Sequence, residues 1–213
     1  MCTGCGLCEV NCSVGAIQMK ENEYGYKKPS INADLCMNCQ KCINDCPIYN
    51  SKNESAGKPK TYAYMASDEI RRNSSSGGVF GTIATDILKN DGCVCGAAWE
   101  EKFQVKHVLV EDIEDLHRLQ MSKYIRSDIK DIFGQIRERL LKGKKVLFVG
   151  CPCQVAAIKN FTKGIDEKLF TIDLVCADAP SKWFFETYLG EMFNIDDIEE
   201  IGFRDKVDGW RAD

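Results

Sequence analysis

Apolar residues in the larger, C-terminal part of the chain recur with the periods of helices and strands. Residues 128–141 predict an amphipathic helix, because five apolar side chains share one helical face. These side chains are Ile129, Ile132, Phe133, Ile136 and Leu140. Further helices are predicted over Val79–Lys89, which follows a Ser/Gly run that can cap it, and over 155–161 and 182–189. Strands are predicted over 93–99, 105–110, 144–149 and 169–175.

The order of these elements indicates the fold of residues 61–213. Strands alternate with helices, and this alternation is typical of an α/β layer in which at least part of the sheet is parallel. We therefore expect an α/β domain with a mixed, partly parallel sheet. Residues 51–60 are polar and contain Gly57 and Pro59, which is the composition of a linker between this domain and residues 1–50.

Eight of the 13 cysteines lie in two copies of the spacing C-x2-C-x2-C-x3-C within residues 1–50. The copies are Cys2, Cys5, Cys8 and Cys12, and Cys36, Cys39, Cys42 and Cys46. This is the bacterial ferredoxin spacing, in which three thiolates of one array and the fourth of the other bind each [4Fe-4S] cluster. The sequence therefore predicts an α+β, ferredoxin-like two-cluster domain over residues 1–50.

The same spacing predicts which cysteines share a cluster. Cluster one takes Cys2, Cys5, Cys8 and Cys46, and cluster two takes Cys36, Cys39, Cys42 and Cys12. Gly4 and Gly6 suit a backbone that wraps a cluster closely, since glycine permits positive φ. Asn38 and Gln40 hold the matching places in the second array. The alternative is structural zinc, which also binds C-x2-C pairs but usually as two pairs separated by a longer loop.

Composition excludes several classes of partner. The formal net charge is -4, with 28 basic and 32 acidic residues, so no large positive field exists to attract nucleic acid. No run of eighteen apolar residues predicts a membrane span, and the first residues lack the pattern of a signal peptide. We therefore expect a cytoplasmic protein. Cys93 and Cys95 lie in a predicted strand and are expected in the core, while the isolated His107 and His117 receive no role.

Motifs in the larger domain follow a specific order. They are SSSGG at 74–78, SKY at 122–124, VGCPCQ at 149–154 and LVC at 174–176. On these motifs nearly the whole chain resembles the family of beta subunits of coenzyme F420 hydrogenases and dehydrogenases, in the bacterial form with an N-terminal two-cluster ferredoxin domain. The resemblance implies an FAD-containing domain that passes electrons between the clusters and a deazaflavin (coenzyme F420) or another two-electron acceptor, and a redox partner protein or subunit.

Candidate flavin contacts lie in the first two motifs. A Ser/Gly run before a helix offers backbone N–H groups to a pyrophosphate, and the alternative is a plain Ser cap with flexible glycines. The residues of this run are Ser75, Ser76, Gly77 and Gly78. The resemblance also implies that Lys123 holds a flavin carbonyl or phosphate and that Tyr124 stacks on a ring. The alternative is a surface lysine beside a half-buried tyrosine.

The last two motifs contain further cysteines. Cys151 and Cys153 follow a predicted strand at the end where α/β sheets bind ligands, and Cys176 follows another. The resemblance implies that Cys153 and Cys176 are ligands of a third [4Fe-4S] cluster, completed by a C-x2-C pair nearer the C-terminus. No such pair occurs before Asp213, and residues 203–210 resemble a mid-protein motif, so we expect a fragment.

Two functions remain open at this point. The first is an oxidoreductase subunit in which electrons pass between the two clusters and FAD, and then to a soluble two-electron coenzyme or substrate. The second is a non-catalytic, ferredoxin-type electron-transfer module whose α/β domain docks a partner and binds no flavin. The cofactors, not protein side chains, supply the redox chemistry in either case.

Overall fold

The computed structural model describes residues 2–50, 58–101 and 103–204. Residues 2–50 contain two one-turn helices and one antiparallel strand pair. These elements are α1 (Leu7–Val10), β1 (Ile17–Glu21), β2 (Lys27–Ile31) and α2 (Lys41–Asn44). Each helix contains the third cysteine of its array, so the duplication seen in the sequence is also a duplication of structure.

The larger part of the chain folds around one four-stranded sheet. Its helices and strands are α3 (Asp68–Arg72), α4 (Val79–Lys89), β3 (Cys93–Glu101), β4 (Gln104–Val110), α5 (Ile132–Leu141), β5 (Val146–Gly150), α6 (Pro152–Thr162), β6 (Leu169–Asp173) and α7 (Lys182–Met192). Short 3-10 helices span Ile113–Leu119 and Ile195–Asp197. The strand order is β4-β3-β5-β6, with β3 and β4 antiparallel and β3, β5 and β6 parallel. The predicted mixed, partly parallel sheet is confirmed.

Several predicted boundaries differ from the structure, and the helix predicted over 155–161 spans Pro152–Thr162. The helix predicted from residue 128 begins at Ile132, because Asp128 pairs with β4 instead. Its N–H donates to the Val105 carbonyl at 3.1 Å, and its carbonyl accepts from His107 N–H at 2.8 Å. The strand predicted to residue 175 ends at Asp173. The short elements α3, β1 and β2 were not predicted.

The sheet is covered on both faces, and β5 is buried along its whole length. On one face Cys93, Cys95 and Phe148 pack in a cluster with α5 and α6. On the other face Val94 and Leu147 pack in a cluster with α4. Both strand cysteines are fully buried, which confirms that they belong to the core.

Residues 2–50 pack directly onto the α/β domain. Leu7 is 1% exposed and lies in the same core cluster as Phe133 and Ile158, with Cys5 and Val10 against it. Polar contacts surround this apolar one: Lys27 with Asp128, Lys130 with Glu9, Asn160 with the Asp45 carbonyl, and Ser181 with the Tyr24 carbonyl. The two predicted domains therefore share a core. Residues 51–57 of the predicted linker lie outside the described residues.

Within the described ranges, no helix combines the length and the apolar character that a membrane crossing requires. The longest helices have 11 residues, which is far short of the about 20 residues that span a bilayer.

Candidate metal and cofactor site

The two cysteine arrays adopt the same local backbone. Gly4 and Gly6 have φ of 64° and 80°, and their counterparts Asn38 and Gln40 have φ of 53° and 59°. Gly6 and Gln40 each cap the short helix that carries the third cysteine of the array. Left-handed residues between the cysteines turn the chain so tightly that successive thiols lie on one side of the loop. The arrays are thus two copies of one ligand-bearing loop.

Electrostatic interactions group the thiols of the first array. Burial is the main cause that raises the pKa of Cys5, and the nearby thiols of Cys46, Cys153 and Cys2 raise it further. Burial likewise raises the pKa of Cys8 to about 11, with added effects from Cys5 and Cys2. These interactions connect Cys2, Cys5, Cys8 and Cys46, the four cysteines of predicted cluster one, but they also reach Cys153 and Cys42. Their assignment as ligands stays a prediction.

The spacing of these thiols bears on the kind of metal site. Among residues 2–50, 58–101 and 103–204, no three Cys, His, Asp or Glu side chains converge as they do around a single ion. A tetrahedral zinc site holds its thiolates about 2.3 Å from one metal, whereas a cubane separates its four ligands by the width of the cluster. Two arrays of four thiols at the ferredoxin spacing are a donor set for iron–sulfur clusters, whereas structural zinc usually takes two C-x2-C pairs.

The cysteines of the α/β domain lie at the carboxyl end of β5. Cys151 caps α6, and Gln154 closes this turn, with its Oε1 accepting from Cys151 N–H at 3.0 Å. Burial is the main cause that raises the pKa of Cys151 to about 12, followed by Cys176 and then Cys153. Cys176 is thus near Cys151, while Cys153 is near Cys5 of the first array. The role of Cys153 and Cys176 as third-cluster ligands stays a prediction.

The structure joins the SSSGG and SKY motifs, since Ser122 N–H donates to Ser75 Oγ at 2.6 Å. The helix at Val79 is confirmed, but no serine caps it: the cap is Gly78, at φ 88°. A Cβ on Gly78 would lie 2.7 Å from Ala66 Cβ, and one on Gly77 would lie 2.7 Å from the Tyr64 carbonyl oxygen. Both glycines therefore allow residues 64–66 to pack closely, which is a structural reason for their presence.

Lys123 and Tyr124 have different surroundings. The Lys123 ammonium donates to the carbonyls of Gln120 at 2.7 Å and Met121 at 3.2 Å, and burial lowers its pKa to about 8. Tyr124 is 47% exposed, and its hydroxyl accepts from Arg204 Nε at 3.0 Å. Lys123 thus holds its own loop, whereas the ring of Tyr124 stays partly accessible. Their flavin contacts remain predictions.

His107 is a buried polar residue to which no role was assigned from its sequence context. Its Nε2 lies 2.9 Å from the Val149 carbonyl, and because a carbonyl only accepts, Nε2 carries the proton. Burial lowers the pKa of His107 to about 4, so the ring is neutral at pH 7. Its Nδ1 has no hydrogen-bond partner among the described residues. His107 lies two residues after Val105 in a predicted strand, and this alternation is the sequence signal that indicates burial of its side chain.

Family models match three parts of the chain. Residues 61–133 match the N-terminal model of the coenzyme F420 hydrogenase/dehydrogenase beta subunit, and residues 143–211 match the C-terminal model of that beta subunit. Residues 1–50 match a 4Fe-4S dicluster domain.

Two curated relatives cover most of this chain. A subunit of the F420H2 dehydrogenase of Methanosarcina mazei is 26% identical over 192 residues, which is 84% of this chain and 54% of the relative. Coenzyme F420-dependent sulfite reductase of Methanocaldococcus jannaschii is 24% identical over 218 residues, which is 98% of this chain and 33% of the relative. The chain therefore spans about half the length of the first relative and about a third of the second.

A solved structure supports the fold. A chain of the F420-reducing [NiFe] hydrogenase complex from Methanosarcina barkeri has a TM-score of 0.52 and 17% identity, and the match covers 62% of this chain and 50% of that chain. The two beta-subunit models together account for most of the larger domain. This chain belongs to the family of coenzyme F420 hydrogenase/dehydrogenase beta subunits and carries a 4Fe-4S dicluster domain at its N-terminal end.

Proposed function

We propose that this chain is an iron–sulfur flavoprotein subunit of an oxidoreductase. It passes electrons between two [4Fe-4S] clusters and FAD, and on to coenzyme F420 or another soluble two-electron acceptor. The observation that carries this proposal is the way in which the first array enters the α/β domain. Leu7 lies in the core of that domain, and Cys5 lies near Cys153 beside the end of β5. The contact supports electron transfer between the two parts of the molecule.

The eight thiols of the arrays are the proposed ligands. Cys2, Cys5, Cys8 and Cys46 hold one cluster, and Cys36, Cys39, Cys42 and Cys12 hold the other. Burial keeps Cys5 and Cys8 protonated in the absence of metal, and iron binding removes their protons because a coordinated thiol is deprotonated outright. Each cluster carries one electron at a time, and bound FAD converts between one-electron and two-electron transfer.

The proposed FAD site is the corner where the SSSGG and SKY motifs meet. Ser76 is exposed there, and the first N–H groups of α4 have no acceptor within the helix, which suits a phosphate. Ser75 fixes the corner through Ser122, and Lys123 holds the adjoining loop. The exposed part of the Tyr124 ring is the proposed surface for a flavin ring. This donor set fits the pyrophosphate part of FAD.

The second array is proposed to meet a redox partner protein or subunit. Cys39 is exposed, as are the apolar side chains of Leu35 at 52% and Met37 at 64%. Exposed apolar side chains beside a redox centre suit a partner that covers them. A cytoplasmic location, where thiols stay reduced, belongs to the same proposal. Cys153 and Cys176 remain proposed ligands of a third cluster in a longer chain.

A second candidate function is a non-catalytic, ferredoxin-type module whose α/β domain docks a partner. One observation favours it: Tyr64 and Ala66 already occupy the space that Gly77 and Gly78 leave open. A glycine that a protein segment needs for its own packing is not evidence for a ligand. The two candidates differ only in whether the α/β domain binds flavin.

Analysis of iron, sulfide, zinc and released flavin in the anaerobically purified protein tests the proposal. We expect about eight irons and about one FAD per chain. About eight irons without flavin, also after incubation with FAD, would support the docking module instead. Zinc without iron would overturn both candidates. Ser76→Trp offers a sharper test, since a bulky side chain at the exposed corner should reduce bound flavin and leave the iron content unchanged.

A further inference from the structure

Arg126 places a cation against the loop of the first array. Its terminal nitrogen lies 3.0 Å, and its Cζ 3.6 Å, from the position that a Cβ on Gly4 would occupy. Its backbone is held by a hydrogen bond in which Arg126 N–H donates to the Pro180 carbonyl at 2.9 Å. Ile125 just before it is 3% exposed. The guanidinium therefore lies beside Gly4, one of the two residues between Cys2 and Cys5.

Among the described residues, no carboxylate balances the charge of Arg126. Within residues 2–50, 58–101 and 103–204, no carboxylate forms an ion pair with it. Three acidic residues of this interface have other partners, since Asp128 pairs with Lys27, Glu9 with Lys130 and Asp45 with Lys41. A half-buried cation without an anion is costly, so its place in the fold calls for a negative group nearby.

The matching position of the second array faces solvent. Asn38 stands where the first array has Gly4. The basic residue of the second loop is Lys41, which is 54% exposed in its side chain and pairs with Asp45 at 2.9 Å. Its charge is thus both screened by solvent and balanced by a carboxylate. The two loops differ by one uncompensated, half-buried positive charge.

We propose that Arg126 is the counter-charge of cluster one and raises the reduction potential of that cluster relative to the same site without the charge. This inference rests on the proposed function, since it requires a cluster at the first array. A cluster held by four thiolates is an anion, and reduction adds one more negative charge. A fixed cation nearby therefore stabilises the reduced state more than the oxidised state.

Burial makes this counter-charge necessary. The first array is packed against the α/β domain, and loss of solvent disfavours the more negative, reduced cluster. Without a cation, cluster one would be difficult to reduce and would be a barrier between the exposed second array and the α/β domain. Arg126 offsets this cost and keeps the inner cluster able to accept an electron. We assign it as a positioning residue for charge, not as a ligand.

The test is a redox titration of the anaerobically prepared protein, with each reduced cluster followed by electron paramagnetic resonance. Arg126→Gln should lower the midpoint potential of one cluster by at least about 59 mV. For a one-electron couple, this is a tenfold change in the equilibrium constant for reduction. The other cluster should not shift. Arg126→Lys should keep most of the wild-type potential, and Lys41→Gln should leave the potential of cluster one unchanged.

Arg126→His gives a second test that does not depend on the stability of the Gln variant. An imidazole at this position is charged at low pH and neutral at high pH, with an ordinary pKa of about 6.5. The potential of cluster one should then fall between about pH 5.5 and about pH 8 relative to wild type at each pH. Equal pH dependence in both proteins would overturn the proposal.

Two further outcomes separate this inference from the proposed function. Iron and sulfide are measured first, and a wild-type protein without clusters would remove the proposed function itself. If clusters are present and Arg126→Gln leaves both potentials unchanged, only the inference fails. Loss of bound flavin in Arg126→Gln with unchanged potentials would overturn it as well, because it would show that the guanidinium pairs with the flavin.

Discussion

The two cysteine arrays share their spacing and their backbone turns but differ in their surroundings. Leu7 of the first array is 1% exposed within the core of the α/β domain, whereas Lys41 holds the matching position in the second array and is exposed. Asn11 Nδ2 donates to Asp45 at 2.7 Å, and this contact joins two further matched positions. The cysteine-bearing loop is therefore duplicated, while a few side chains that are not predicted ligands decide what each array faces.

The positions between the cysteines show the same difference. Gly4 and Asn38 both have positive φ, but a Cβ at Gly4 would lie 2.6 Å from the Lys27 carbonyl oxygen. Asn38 keeps a side chain because its loop faces solvent, and asparagine tolerates this backbone region better than most residues. Glycine in the first array thus allows close packing as well as a left-handed turn.

Removal of one ligand from each array should have the largest effect. Cys5→Ala and Cys39→Ala change matching positions, and each should lower the iron content from about eight to about four per chain, because each cluster loses one of its four thiolates. Metal analysis after anaerobic purification measures this effect. If either variant kept all its iron, the predicted ligand sets would be wrong.

Leu7→Ala should lower the free energy of unfolding by about 2–5 kcal/mol, because it opens a cavity where residues 2–50 enter the core. Lys41→Ala is the matched control, and it should change stability by less than about 0.5 kcal/mol, since Lys41 is exposed. Anaerobic denaturant unfolding followed by tryptophan fluorescence measures both values. Equal losses would contradict the different roles of the two positions.

Gly4→Ala should destabilise the protein by about 3 kcal/mol, since the new methyl group meets the Lys27 carbonyl in a backbone region that alanine also disfavours. Gly6→Ala is the control within the same array. Nothing lies within 4 Å of its Cβ position, so only the left-handed backbone costs about 1 kcal/mol. The same unfolding experiment measures both variants. If Gly4→Ala lost less stability than Gly6→Ala, close packing at Gly4 would not explain its glycine.

Lys27→Met should have the smallest effect, about 0.5–1 kcal/mol at pH 7, because both partners of the Lys27–Asp128 pair are partly exposed. Burial alone raises the pKa of Asp128, but hydrogen bonds from Lys27 and from Lys130 N–H hold it below its ordinary value. The pair therefore stabilises the fold above the ordinary carboxyl pKa of about 3.9, and its contribution is lost as the pH falls further.

Unfolding of wild type and Lys27→Met between about pH 8 and about pH 4 checks this dependence. The difference between the two proteins should stay constant down to about pH 5. A difference that disappears near neutral pH would mean that the ion pair does not join residues 2–50 to the α/β domain.

Local patterns were sufficient to predict much of the fold. The helix Val79–Lys89 and the apolar strand β5 depend on side-chain periodicity within their own segments, and the structure contains both. The start of α5 could not be predicted, because Asp128 pairs with a strand that is distant in sequence. Strands β1 and β2 have five residues each and mostly polar, exposed positions, so they leave little pattern to detect.

The candidate site also combines residues that local sequence predicts with residues that it does not. The predicted cluster ligands follow from spacing, since the order of thiols along one loop decides which of them can converge. Leu7, His107 and Arg126 act through contacts with distant segments, and nothing beside them in the sequence marks these contacts. The Ser/Gly run precedes α4 as predicted, but which of its residues caps the helix depends on the packing of Gly78 against Ala66, a contact that the sequence does not show.

Pulsed electron paramagnetic resonance of the reduced protein in D2O tests the different surroundings of the arrays most directly. Cys5→Ala should retain only the second cluster, and Cys39→Ala only the first. We predict strong couplings to exchangeable deuterons in Cys5→Ala, because its remaining cluster faces solvent, and weak couplings in Cys39→Ala, because its cluster faces the α/β domain. Equal couplings, or stronger ones in Cys39→Ala, would contradict the account.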